Sequence, residues 1–194
     1  MEILKSTLKA SINNGYQIFS KLNQVESCYH CIELNTEWLN DEPFNPLSKD
    51  KYPLNEKIKE TFFSDFDNKD PQLNKKVCLY IFEYPNDETN YIISQLNAYI
   101  EKKERNVSAI KDKPNKSGDI LYVGKVKKDL SKRLSTHFGF AHEKTGGMQL
   151  KHWLKKEMIL KVHIFTFDKE LDDFVNPLEL FLSKELKPLI GKSK

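Results

Sequence analysis

Six consecutive apolar residues, Val77-Cys78-Leu79-Tyr80-Ile81-Phe82, stand between Lys75-Lys76 and Pro85 in a chain whose composition is 30% charged. A run of this length, rich in β-branched and aromatic side chains and closed by a proline, predicts a buried strand. A buried strand needs paired neighbours, and two further segments read the same way. They are Asp119-Ile120-Leu121-Tyr122-Val123-Gly124 and Leu160 to Phe167 (LKVHIFTF).

Helical spacing fills the intervals. Residues 88–104 carry Ile92, Ile93, Leu96, Tyr99 and Ile100 on one side, followed by a polar loop over 106–118. Leu130, Leu134 and Phe138 recur at i, i+4 and i+8. A Gly146-Gly147 break precedes a helix over 149–156, and Asn176-Pro177 opens a last helix, with Pro in the first turn, that Pro188 stops. This order predicts an α+β fold over 76–194, a small three-stranded, mainly antiparallel sheet flanked by helices. Residues 1–75 read as an accessory segment of helices and loops. Ile3, Leu4, Leu8 and Ile12 fall at helical spacing, Pro43, Pro46 and Pro53 mark an irregular connection, and a short helix runs from Pro53-Leu54 to Phe62-Phe63.

Composition bounds the function classes. With 39% hydrophobic residues in 194, the chain has enough apolar material for a core, which excludes a disordered polyampholyte. No window approaches the roughly 18 apolar residues of a membrane span. The N-terminus lacks the apolar stretch of a signal peptide. Three cysteines, Cys28, Cys31 and Cys78, cannot all pair, so the expected compartment is the reducing cytoplasm. Cys28-Tyr29-His30-Cys31 has a zinc-like look but lacks a second Cys/His pair at finger spacing.

Charge is unevenly spread. Residues 1–75 hold nine Lys, no Arg and twelve acids, a net of −3, whereas 76–194 carry a net of +6. Leu121 to Lys161 alone has ten basic and three acidic residues. Such a local excess is either a footprint for a polyanion, nucleic acid being the commonest, or a lysine-rich solvated face. The chain has only two arginines, Arg105 and Arg133. Arg133 and His137 stand at i and i+4, so they share one helix face. A planar guanidinium binds phosphate oxygens in a two-pronged way that lysine cannot copy.

Taken in order, these residues resemble the GIY-YIG nuclease superfamily. Leu79-Tyr80 stands at the first motif and Tyr122-Val123-Gly124 at the second. Lys125, Leu130, Lys132-Arg133-Leu134 and His137 follow the family's usual continuation. Leu150, Trp153, the strand Val162 to Phe167 and Glu179, in a helix ending at Pro188, complete it. The resemblance covers about residues 77–191. The chain departs from the pattern at Cys78, where the family has glycine, and at Gly191, where it often has a site-supporting Asn. The tyrosine motifs lie 42 residues apart, which makes 84–118 an insertion carrying its own helix.

The resemblance implies a metal-dependent endonuclease acting on double-stranded DNA, of restriction or mobile-element type. It implies that Tyr122 or Tyr80 holds or deprotonates the attacking water. Arg133, with Lys125, would supply the field that lowers the tyrosine pKa, and Arg133 would also bind the scissile phosphate. His137 would donate a hydrogen bond or a proton, and Glu179 would hold one Mg²⁺ or Mn²⁺. Lys125, Lys132, Lys151 and Lys155 are the candidate phosphate contacts, with Lys156 beside them. Two other readings stand: a catalytically weakened nucleic-acid-binding module of the same fold, and an unrelated α+β protein-interaction domain.

Overall fold

The computed structural model describes Ser20 and residues 29–41, 72–140 and 144–191. The helices expected near 3–12 and 53–63, the proline-rich connection and Cys28 lie outside the described residues. The described chain is α+β. Its elements are β1 (Tyr29–Asn35), α1 (Glu37–Asp41), β2 (Val77–Glu83), α2 (Thr89–Lys102), β3 (Ala109–Ile110) and β4 (Ile120–Val126). There follow α3 (Leu130–Phe138), α4 (Leu150–Trp153), β5 (Ile159–Phe167), α5 (Asp172–Leu186) and β6 (Ile190–Gly191). Among the described residues no helix is long and apolar enough to cross a membrane.

The apolar run becomes β2, with every residue from Val77 to Phe82 buried. β2 lies inside an antiparallel sheet of order β1-β5-β2-β4, so both its edges are paired and both its faces covered. One face, with Tyr80 and Phe82, joins the larger core beneath α3. The other, with Val77, Leu79 and Ile81, packs on α5 through Val175, Leu178, Leu182 and Leu186. Burying each large apolar side chain contributes about 1.5–3 kcal/mol, so the two-sided burial of β2 anchors the domain.

The sheet has four strands rather than the expected three. The extra strand, β1, comes from the segment read as helices and loops and pairs antiparallel with β5, Cys31 opposite His163. Its alternation is real but weak. His30 and Ile32 are half-buried and Leu34 is buried, while Tyr29, Cys31, Glu33 and Asn35 face outward. An edge strand with one fully buried side chain leaves little trace in an apolar-run test, and the alternation puts His30 and Cys31 on opposite faces.

Three further boundaries differ for local reasons. α4 stops at Trp153, where Leu154 turns extended and the chain beyond it is held by Thr36. The Thr36 hydroxyl donates to Lys156 O (2.9 Å) and accepts from Met158 N–H (2.9 Å). α5 begins at Asp172, with Asp172 and Asp173 in its first turn, where the helix dipole favours carboxylates. Pro177 therefore lies inside α5, where its missing N–H falls on the exposed side. Lastly, β4 continues through Gly124 to Val126 instead of ending there.

The position of α3 is fixed by a cap from another segment. Asn74, in the turn leading into β2, accepts from Ser131 N–H (3.1 Å) and the Ser131 hydroxyl (2.8 Å), while its carbonyl accepts from Asp129 N–H (2.7 Å). Asn74 thus satisfies donors at the helix start that would otherwise lack partners. At the far end Gly139, at φ +104°, closes the helix, its N–H donating to Ser135 O and Thr136 O. Both ends of α3 are set, and with them the placement of Arg133 and His137 over the sheet.

Candidate active site

The site begins with a strand register. Tyr80 of β2 pairs with Gly124 of β4, and Tyr122 lies two residues before Gly124 on the same strand. A Cβ at position 124 would come within 2.7 Å of the Tyr80 hydroxyl and 2.6 Å of Tyr122 Cε1. Glycine is therefore the residue that lets both rings occupy this side of the sheet. The two rings lie nearly parallel, with centroids 6.2 Å apart.

α3 brings its side chains onto this pair. Arg133 Nε–H donates to Tyr80 Oη (2.9 Å), and Nη1 reaches Gly146 O (3.3 Å). His137 Nε2 is 2.9 Å from the same Tyr80 oxygen, and its ring lies 4.7 Å from that of Tyr122. Met148 N–H donates to His137 Nδ1 (3.2 Å), so Nδ1 is an acceptor and the neutral ring carries its proton on Nε2. Two donors therefore converge on the Tyr80 oxygen. Tyr80, Arg133 and His137 form one hydrogen-bonded unit, with Tyr122 against it.

Electrostatics set the protonation states. Burial pushes the Tyr80 hydroxyl far above its ordinary range, outweighing the lowering effect of Arg133. Burial also raises Tyr122; Arg133 opposes the shift and the charge of Glu179 adds to it. Both tyrosines are thus neutral phenols near pH 7. Burial, with the Arg133 charge second, drives His137 well below 6.5, so it is a neutral hydrogen-bond donor rather than an imidazolium.

This shift has a consequence for stability. The unfolded chain takes up a proton at position 137 near pH 6.5, and the folded protein does so only at much lower pH. Stability is therefore lost as pH falls below 6.5, by up to about 1.4 kcal/mol per pH unit for this group. His152, also lowered chiefly by burial, adds in the same direction. The urea midpoint is expected to fall between pH 7 and pH 5, and to fall less in His137→Gln. An unchanged or rising wild-type midpoint would contradict the assignment.

Beside the tyrosines opens a cleft of about 740 Å³. Tyr122 and Val123 form one wall, Glu179, Leu180, Ser183 and Lys184 of α5, with Lys187 just past its end, form another, and the insertion contributes Lys111, Asp112 and Lys113. Glu179 and Ser183 stand four residues apart and share a helix stripe, while Leu178, Leu182 and Leu186 turn toward the sheet. Glu179 is half-buried in the cleft, not enclosed by its apolar neighbours, because Leu180 and Phe181 are 55% and 61% exposed. Tyr80 and His137 are completely buried behind Tyr122, which is 8% exposed.

The sequence-derived lysines lie elsewhere. Lys125 is on the opposite sheet face, 3.9 Å from Asp172 Oδ1. Lys132 is exposed on α3. Lys151 donates to Leu39 O (2.8 Å) and sits over the Phe140 ring, and Lys155 donates to Lys151 O (2.7 Å). Lys156 pairs with Glu88. None of the five lines the cleft, and neither does Arg133. The lysines that do are Lys111, Lys113, Lys184 and Lys187. They come from the insertion and the end of α5, outside the basic stretch 121–161 that marked the charge excess.

No protein-family model, no curated protein and no solved structure matches this chain.

Proposed function

We propose that this cleft is the active site of a metal-dependent endonuclease that hydrolyses phosphodiester bonds of double-stranded DNA, on a GIY-YIG-like fold. One observation carries the reading. Tyr80, Tyr122, Arg133 and His137, drawn from three separate elements, meet at one point beside a cleft that holds Glu179. An unrelated interaction domain has no need to spend its tightest glycine contact on bringing two tyrosines under one arginine.

Tyr122 is the tyrosine at the cleft wall, so it is the one that holds the attacking water. Tyr80, His137 and Arg133 lie behind and fix its surroundings. Arg133 keeps a positive charge close to Tyr122, which favours the phenolate and the charge that builds on the phosphoryl oxygens. Its bonds to Tyr80 and Gly146 make it a holder of the tyrosine pair as much as a phosphate ligand. His137, neutral and enclosed, positions Tyr80 and is not a proton donor to the leaving group.

The residues present fit a hard divalent cation. Glu179 offers carboxylate oxygen at the cleft, with Asp112 lining it too. Among the described residues no group of three His, Cys, Asp or Glu side chains forms a closed metal cage. One carboxylate with water and substrate phosphate is the coordination Mg²⁺ commonly takes. Such an ion would supply charge neutralisation at the phosphate and at the leaving 3′ oxygen. Neutralising Glu179 also removes a field that holds Tyr122 protonated.

The test is cleavage of a sequence-diverse DNA pool in Mg²⁺ by wild type and Glu179→Ala. The variant is expected to lose cleavage by at least about 100-fold while keeping its fold and its DNA affinity in EDTA. Undiminished cleavage by Glu179→Ala would remove the metal from this site. Binding without turnover by wild type on every substrate would favour the nucleic-acid-binding module.

A further inference from the structure

The insertion between β2 and β4 does more than decorate the fold, because it delivers a lysine to the cleft. β3 pairs with β6, Ala109 opposite Gly191 and Ile110 opposite Ile190. Lys111 follows directly, and its N–H donates to Leu189 O (3.1 Å), continuing the ladder by one bond. Its stem then runs across Gly191. A Cβ there would meet Lys111 Cε at 3.3 Å, Cδ at 3.7 Å and Cγ at 3.8 Å. The ammonium ends against α5, donating to the Ser183 hydroxyl (2.7 Å). Ser183 is one helical turn from Glu179, and both line the cleft with Tyr122.

Position 191 has an ordinary backbone angle, so glycine is not required there for conformation. What glycine provides is room for the Lys111 stem. The described lining of the cleft is also net positive. The cleft lining holds Lys111, Lys113, Lys184 and Lys187 against Asp112 and Glu179. The lysines come from the insertion, from α5 and from just past its end, a spread suited to an extended polyanion more than to a single small anion.

We propose that Lys111 is a phosphate-binding residue of this cleft, gripping the DNA backbone beside Tyr122 and Glu179, with Lys113, Lys184 and Lys187 as the flanking wall. This assignment rests on the endonuclease reading of the cleft. It places DNA contact on the insertion and the end of α5, not on Lys132, Lys151 or Lys155.

The experiment measures binding of a labelled DNA duplex by fluorescence anisotropy in EDTA, across a series of salt concentrations, with thermal stability checked for each protein. Lys111→Met keeps the stem and removes the charge. It is expected to weaken binding about tenfold and to reduce the slope of log affinity against log salt by about one. Lys111→Arg restores both. Gly191→Val removes no charge but claims the space of the stem, so it should weaken binding in the same direction. Lys102→Gln, on the exposed side of α2, is the control for net charge and leaves the slope nearly unchanged. Wild-type affinity and slope in Lys111→Met overturn the proposal, and a lowered melting temperature alongside them would make Lys111 a structural clip between the insertion and α5. Should Lys111→Met fail to fold, Gly191→Val decides, and wild-type binding by that variant overturns the proposal. If wild type binds duplex but never cleaves it, the endonuclease reading fails while the salt slope still decides Lys111. If wild type does not bind duplex at all, both fall.

Discussion

Gly124→Ala is expected to lower cleavage by about 100-fold or more, through displacement of groups that it does not itself supply. The added methyl carbon would lie 2.6 Å from Tyr122 Cε1, 2.7 Å from Tyr80 Oη and 2.8 Å from Tyr80 Cζ, all well inside contact distance. Neither ring can retreat easily. Tyr80 is fully buried and tied to Arg133 and His137, and Tyr122 rests against His137. Overpacking of this kind costs about 1–3 kcal/mol, so thermal denaturation should show a folded but less stable protein. A variant that melts like wild type and cleaves like wild type would mean that the tyrosine pair is not held as described.

Arg133→Lys is the second change with a large expected effect. Lysine keeps the charge and loses the planar fork, so it cannot donate to Tyr80 Oη and Gly146 O from one rigid group. Losing a fixed charge-stabilising donor at a reacting centre typically costs about 100- to 1,000-fold in turnover. Stability should change by only about 1 kcal/mol, the net worth of an ordinary hydrogen bond. Single-turnover cleavage and urea denaturation on the same preparation separate the two. Full turnover with lysine would reduce Arg133 to a generic positive charge.

The sequence is legible where one residue pattern has one physical meaning. The run from Val77 to Phe82 left β2 no alternative, because six adjacent apolar side chains need cover on both faces. The i, i+4, i+8 spacing of Leu130, Leu134 and Phe138 placed α3, and Arg133 with His137 on it, at the correct residues. β1 was invisible because an edge strand with one buried residue, Leu34, is stabilised by its ladder to β5 more than by its own side chains. The end of α4 was misplaced because Thr36, more than 100 residues away, binds Lys156 O and Met158 N–H and holds the chain there out of the helix. No local signal encodes that.

The cleft lysines were missed for a related reason. Charge counting along the chain singled out 121–161, yet Lys125, Lys151 and Lys156 there are taken up by Asp172, Leu39 O and Glu88. Lys111 lies outside that range, in the loop of the insertion, and reaches the cleft because β3 pairs with β6. Gly124 did carry a signal, a glycine within a strand pattern, which reads as either a bend or a close approach. The Tyr80 ring lying across it decides for the approach.

The most direct test of the central claim is to incubate excess wild-type protein with pools of randomised duplex DNA and of RNA, in Mg²⁺, Mn²⁺ or EDTA, and to count new ends by sequencing. A metal-dependent endonuclease leaves new ends in duplex DNA with either metal, and ends at the background level in EDTA. Pools that stay intact in every metal, under conditions where the protein is folded and binds the duplex, would contradict it.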